Sequence, residues 1–251
     1  MRRILVIGIG AGNPDHLTVE AIAALNRAEA VFVPEKGAEK AALAGLRLAI
    51  CERFIREPGY RIVPVALPKR AEAGDDYPGV VDDWHARIAD TYARAFAEAL
   101  PEGGTGAMLV WGDPSLYDST LRILERIRDG GEALDWEVVP GISSVQVLAA
   151  RHRIPLNRIG GPILITTGRR LADGFPADQD SVVVMLDGEQ TFARLAGDDF
   201  DIWWGAYLGT PDEILLAGRL SDVSSEIERL RREARAAHGW IMDTYLLRRR
   251  G

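Results

Sequence analysis

Three glycine-bearing loops and a scatter of arginines carry what chemistry this chain has to offer. The first loop is Gly8-Ile9-Gly10-Ala11-Gly12-Asn13-Pro14, whose glycines let backbone amides approach a ligand closely. The second, Val110-Trp111-Gly112-Asp113-Pro114-Ser115-Leu116-Tyr117, sets one carboxylate between a permissive Gly112 and a stiffening Pro114. The third, Val139-Pro140-Gly141-Ile142-Ser143-Ser144, offers two hydroxyls. Arg151, Arg153, Arg158, Arg169 and Arg170 follow within twenty residues. Guanidinium forks suit carboxylate-bearing ligands, although any one surface arginine is more often a solvated charge. Arg53, Arg56, Lys69 and Arg70 form a second tier.

Should a proton need moving, His85 and Asp113 are the candidate bases, with Asp118 behind them. His85 lies in a helical pattern, where a lone histidine is more often structural. His16 and His152 are weaker candidates, and His238 suits a helix C-terminus. Asp113 has a competing role as N-cap of a helix expected over Ser115–Arg128. No nucleophile motif and no metal-ligand spacing is found. Cys51, the single cysteine, sits among Leu46, Leu48, Ile50, Phe54 and Ile55, a packing position. One cysteine precludes an intramolecular disulfide and suits a reducing cytoplasm.

The first loop invites a dinucleotide reading, with Glu35 where a ribose-binding acid would stand. Its third glycine comes one residue too early for G-x-G-x-x-G, and Asn13-Pro14 delays the helix beyond reach of a pyrophosphate. A tight exit from a strand, or a substrate-cavity wall built from Gly10 and Ala11, fits better.

These loops need strands and helices to position them. The first half alternates strand-like runs (Ile4–Ile9, Ala30–Pro34, Tyr60–Val65, Gly106–Trp111, Trp136–Val139) with helical patterns over Leu17–Arg27, Ala38–Ile55, Asp82–Leu100 and Thr120–Arg128. Trp84, Ile88, Tyr92 and Phe96 fall on one helical stripe. Such alternation implies a mainly parallel sheet covered on both faces. Residues 155–162 break into Pro, Asn and Gly and suit a linker between domains 1–153 and 160–251. Beyond it, strands over Ile163–Thr167, Val182–Leu186, Ile202–Leu208, Ile214–Leu220 and Trp240–Leu247, with one helix over Val223–Ala237, imply a mixed sheet. The fold class is α/β, in two α/β domains.

The apolar run after Met1-Arg2-Arg3 is interrupted by glycines too soon for a signal peptide and reads as a buried strand. No apolar run is long enough for a membrane span. The formal charge of −7 argues against nucleic acid as a partner. A polyanionic small molecule would need a local basic patch, and Arg248-Arg249-Arg250 at the terminus reads as solvated.

The three loops in this order and spacing, with Leu116 and Tyr117 behind the second and Ala149, Ala150 and Ile154-Pro155-Leu156 behind the third, resemble the tetrapyrrole methylase family over the whole chain. The resemblance implies two α/β domains with S-adenosylmethionine folded into the cleft between them, a precorrin-type tetrapyrrole substrate and a homodimer. Cofactor contacts carried over by position fall on Gly112, Asp113, Leu116, Ser143, Ser144 and Leu186, with Met185 a competing alignment for the last and with Tyr207 and Ala206 bordering the adenine. Arg151, Arg169 and Arg170 become the expected holders of the substrate's carboxylate arms. Asn13 stands where the family often has an acid, which removes a charge from that position. The strings Trp84-His85-Ala86-Arg87, Tyr117-Asp118-Ser119-Thr120, 149–158 and 239–245 resemble a cobalamin-pathway branch that couples C-methylation to acetate release. Methylases acting at other tetrapyrrole positions are rivals within the family, and a non-catalytic nucleotide-binding module is the rival outside it.

Overall fold

The first strand shows why this sequence makes a doubly covered sheet. In β1 (Arg2–Gly8), Ile4 and Val6 point to one face and Leu5 and Ile7 to the other, and all four are buried. The computed structural model describes residues 1–35, 41–56, 59–69, 77–195 and 199–250. The chain divides into two compact units, Met1–Ile142 and Ser143–Gly251.

In the first unit, β1 is joined by β2 (Ala30–Glu35), β3 (Arg61–Ala66), β4 (Thr105–Val110) and β5 (Leu134–Val139). All pairings are parallel, in the order β3-β2-β4-β1-β5. Helices α1 (Val19–Leu25) and α2 (Ala41–Phe54) pack on the face of Leu5 and Ile7. Helices α3 (Tyr77–Ala99) and α4 (Thr120–Asp129) pack on the face of Ile4 and Val6. The expected stripe on α3 is present: Ile88, Tyr92 and Phe96 are buried and Trp84 packs beside them. The chain thus winds outward on one face from β1 and returns on the other, so the neighbours β1 and β4 send their next helices to opposite sides. That arrangement makes the carboxyl ends of β1 and β4 a topological switch point, the place where open α/β sheets bind ligands.

The second unit holds α5 (Ser144–His152), β6 (Leu164–Thr167), α6 (Gly168–Leu171), β7 (Ser181–Met185), β8 (Phe200–Ala206), β9 (Ile214–Arg219), α7 (Leu220–His238) and β10 (Asp243–Arg249). The sheet runs β6-β7-β10-β8-β9, with β6 and β7 parallel and the other pairs antiparallel. It is the mixed sheet expected. Helix α7 covers one face through Leu220, Ile227 and Ala234, and α5 packs on β8, β9 and β10.

The structure departs from the sequence reading in three places. Helix α5 is not expected from the sequence, and because it packs on the second sheet the division falls after Ile142 rather than at 155–162. Of the two starts the sequence gives this helix, Thr120 holds and Ser115 does not: residues 114–119 are non-helical, Tyr117 is left-handed at φ 52°, and α4 starts at Thr120. The terminal arginines are not merely solvated. Arg248 reaches Ser181 Oγ at 3.1 Å and the Pro155 carbonyl at 2.7 Å and lies over the Trp203 ring, while Arg249 lies over Phe175 and Phe200. Their place on β10 aims them at these partners. Cys51 is a packing residue as expected, 1% exposed, with burial pushing its thiol up to about 11.

Candidate active site: two loop clusters

At the switch point of the first unit the three glycine-bearing loops meet. Gly10 and Gly112 form an antiparallel bridge: Gly112 N–H donates to the Gly10 carbonyl at 2.9 Å, and Gly10 N–H to that of Gly112 at 3.2 Å. Both need positive φ, 79° and 69°, which glycine alone adopts without strain. Gly141 passes over the same point so closely that a Cβ on it would lie 2.1 Å from the Gly112 oxygen. Asp113 ties the loops together. Its Oδ1 accepts the Ser115 N–H at 2.8 Å and the Ser115 hydroxyl, and its Oδ2 accepts the Gly141 N–H at 2.8 Å. Burial alone would push this carboxyl up, but the Ser115 and Gly141 donors outweigh it and hold it below the usual carboxylate range. Asp113 is therefore a turn-builder and clamp rather than a helix cap, and both its oxygens are occupied. That makes it a poor proton acceptor. Gly10 and Ala11 are buried, so this loop can present backbone rather than side chain. Asn13 Oδ1 accepts from Asp15 N–H, and α1 waits for its own cap, Thr18 Oγ1 accepting from Ala21 N–H at 3.0 Å. Only a three-residue 3-10 turn, Pro14–His16, follows the glycines and α1 begins later at Val19, which removes the dinucleotide cradle.

His85 lies on α3, and its charged neighbours are Arg126, Arg122 and Asp82. Burial and the two arginines push its pKa down, leaving a neutral imidazole at pH 7. None of these neighbours belongs to the loops that hold Asp113.

In the second unit the expected residues gather at one end of the sheet. Ser143 caps α5 in a capping box with Gln146, which uses its hydroxyl, and Ser144 shares a hydrogen bond of 2.9 Å with Thr244 on β10. Thr244 pairs with Met185 on one side and with Gly205 on the other. Leu186 follows Met185, left-handed at φ 54° and 66% exposed, so it rather than Met185 is presented outward. Tyr207 is also left-handed, at φ 49°, but its ring is buried and its hydroxyl donates to the Trp240 carbonyl at 2.5 Å. Only its backbone can border a ligand.

A buried polar network holds the Leu186 turn. Asp187, 4% exposed, accepts from Thr191 N–H at 2.7 Å and from the Tyr245 hydroxyl at 2.6 Å. Arg231 donates to the Asp187 carbonyl at 2.6 Å and pairs with Asp243 at 2.9 Å, their side chains 6% and 5% exposed. Asp243 also takes the Trp204 indole N–H at 2.9 Å. Two non-glycine residues in left-handed conformation beside an over-determined network are a mark of a functional site. The sequence reading missed Asp187, Arg231 and Asp243. A signal was present in α7, where the buried face reads Leu220, Ser224, Ile227, Arg231, Ala234 and one arginine interrupts an otherwise small or apolar stripe.

The arginines separate. Arg151 is paired with Glu213 at 2.9 Å and Arg158 with Asp180 at 3.5 Å, so both are already compensated. Arg169 and Arg170 are exposed on α6, and Gly168 of that helix packs directly on Asp187. They stand beside the Leu186 turn. His152 is structural, bonded to the Trp204 carbonyl at 3.0 Å. Arg53 pairs with Asp15, and Arg70 lies outside the described residues.

The family model of the Tetrapyrrole (Corrin/Porphyrin) Methylases matches residues 3–224, nearly all of the first unit and the second as far as the start of α7. The chain belongs to this family. Among curated methylases, the precorrin-6A synthase (deacetylating) of Sinorhizobium sp is 54% identical over 250 residues, 99% of this chain and 96% of that protein. The probable cobalt-precorrin-2 C(20)-methyltransferase of Methanocaldococcus jannaschii is 22% identical over 89% of this chain and 90% of its own length. Among solved structures, a cobalamin synthesis related protein of Corynebacterium diphtheriae superposes with a TM-score of 0.85 at 42% identity, covering 99% of this chain and 98% of its own. A uroporphyrin-III C-methyltransferase from Thermus thermophilus, solved with S-adenosylhomocysteine, has a TM-score of 0.57 at 19% identity over 98% and 96% of the two chains. It shares the methylase fold. Leu186 offers exposed apolar surface in the second unit, while in the first the Gly10 and Gly112 amides are spent on each other's carbonyls.

Proposed function

We propose that this methylase transfers a methyl group from S-adenosylmethionine to C1 of precorrin-5 and releases acetate, giving precorrin-6A in cobalamin (vitamin B12) biosynthesis. The observation that carries this reading is the 54% identity with the deacetylating precorrin-6A synthase over essentially both full lengths. The family supports the methyl donor, and the exposed apolar surface of Leu186 suits it.

The residues proposed to hold the cofactor are Gly112, Asp113 and Leu116 and, in the second unit, Ser143, Ser144, Leu186 and Tyr207. Asp113 does so by fixing the turn, Ser143 by capping α5, and Tyr207 through its backbone. The cofactor, when bound, supplies an activated methyl on a sulfonium, so the protein's task is alignment and exclusion of water. Gly10 and Ala11 supply the wall facing the substrate. Arg169 and Arg170 take its carboxylate arms, while Arg151 is already compensated by Glu213. His85, neutral at pH 7, remains the proposed base for the acyl cleavage, because the donors on Asp113 hold its carboxyl below the usual carboxylate range. We further propose a cytoplasmic homodimer that binds neither nucleic acid nor membrane. The net charge of −7 supports the exclusion of nucleic acid, the single cysteine supports the compartment, and no described helix is long and apolar enough to cross a membrane.

Incubation with precorrin-5 and methyl-labelled S-adenosylmethionine tests the reading. A labelled macrocycle supports it. Label passing to another precorrin and not to precorrin-5 refutes the substrate and leaves the family.

A further inference from the structure

The two sheets present four edge strands, and three of them carry the usual guards against pairing with another chain. β3 has Pro64 in mid-strand, which withholds a donor. β5 sets Asp135 and Glu137 along its length, held by Arg3 at 3.6 Å and by Arg27 at 2.5 Å. β6 is four residues long. β9 has none of these guards. Its run Ile214-Leu215-Leu216-Ala217-Gly218 holds no proline and no charge, and Arg219 ends it. It lies along β8 over its full length, from Ile214 opposite Ala206 to Arg219 opposite Asp201, and no strand pairs with its other side. Leu215, 37% exposed, and the exposed Ala217 stand on one face of this edge. An open apolar edge of this length is a template for a further strand.

The charges that flank the edge indicate which strand it takes. Glu213 precedes the apolar run and Arg219 follows it. When two copies pair antiparallel about a two-fold axis at Leu216, Glu213 of each stands opposite Arg219 of the other. Leu215 then faces Ala217 and Ile214 faces Gly218, so a large side chain meets a small one at each apolar pair. A one-residue slip sends the side chains to opposite faces. A two-residue slip puts Arg219 opposite Pro211 or Leu215 and loses both ion pairs. Glu213 already holds Arg151 at 2.9 Å and Arg219 holds Asp199 at 3.4 Å, so the new pairs extend an alternating network. We propose that β9 is the contact surface for a second copy of this chain, the two second sheets joining edge to edge. Main-chain hydrogen bonds supply the affinity and the side-chain register the specificity. The proposal rests on the homodimer proposed above and assigns its surface.

Disulfide trapping in the intact protein tests the register. Leu215→Cys and Ala217→Cys are exposed substitutions, and the native Cys51, 1% exposed, stays silent. Directly opposite residues have Cβ atoms about 4.5–5.5 Å apart, within small adjustment of a disulfide, whereas each cysteine lies about 7–8 Å from its own copy on the diagonal. Co-expression of the two variants followed by oxidation should therefore give at least about fivefold more covalent dimer than either variant alone. Equal yields in all three samples, or no covalent dimer, overturn the proposal. Sedimentation separates it from the homodimer itself. Wild type sediments as a dimer, and Leu215→Lys combined with Ala217→Lys raises its dissociation constant at least about a hundredfold while the circular dichroism of the folded chain is kept. A wild-type dimer that both lysines leave intact overturns the β9 surface and leaves the homodimer. A wild-type monomer overturns both.

Discussion

Asp113→Asn separates a clamp from a proton acceptor. Asparagine keeps the shape, and its Oδ1 can still accept the Ser115 N–H. Its Nδ2 then faces the Gly141 N–H, which the carboxylate accepts at 2.8 Å. One charge-assisted hydrogen bond is lost and a donor meets a donor. Such a loss costs about 1.5–3 kcal/mol, the range for hydrogen bonds to charged groups. For a protein of this size that lowers the thermal midpoint by about 3–12 °C. The effect has a signature in pH. The Asp113 carboxyl is held below its ordinary value by the Ser115 and Gly141 donors against the effect of burial. Its stabilisation is therefore fully present above the unfolded value of about 3.9 and is lost as pH falls through the lower, folded value. Urea unfolding of wild type and variant, compared from pH 7 down to about 3, should show a gap that is constant above pH 5 and closes towards acid. A gap of under about 0.5 kcal/mol, or one unchanged at the acid end, refutes the clamp. S-adenosylhomocysteine affinity should fall alongside stability, because the displaced segment is the proposed cofactor loop.

Arg231→Met leaves Asp243 buried without its cation and should cost about 3–5 kcal/mol, much of it recovered when Asp243→Asn is added; chemical unfolding of the double-mutant cycle reads this, and additive effects would refute the coupling. Gly141→Ala puts a methyl carbon where the Gly112 oxygen stands, 2.1 Å away, so calorimetry should find S-adenosylhomocysteine binding weakened at least about tenfold, and unchanged binding would mean that the crossing is not part of the site. Replacing Arg169 and Arg170 together by Ala should raise KM for the macrocycle, with cofactor affinity unchanged; a change in the cofactor constant alone would reassign them.

Strand periodicity made most of the fold legible in the sequence. Ile4/Val6 against Leu5/Ile7 is a two-sided strand on inspection, and Trp84, Ile88, Tyr92 and Phe96 mark a helix face. Helix α5 escaped notice because Pro140, Gly141 and two serines look like a break. Yet Ser143 with Gln146 three residues on is a capping box, the local signal that starts this helix. The helix expected from Ser115 fails for the opposite reason. Asp113 and Asp118 each take an amide two residues on, at Ser115 and Thr120, and hold the segment in turns until Thr120. The loop glycines were legible because only glycine combines positive φ without strain and a close backbone crossing. The network of Asp187, Arg231 and Asp243 was not, since its members lie far apart in sequence and nothing local shows that they share a buried space. Arg151 has the look of an anion holder in the sequence, but Glu213, 62 residues away, neutralises it.

The central claim is one enzyme coupling two events, and counting both in the same tube tests it. Precorrin-5, methyl-labelled S-adenosylmethionine and the intact protein are incubated anaerobically, and label in the macrocycle and free acetate are quantified over time. The account predicts one methyl transferred and one acetate released per macrocycle. Methylation with no acetate, or acetate with no methylation, contradicts it.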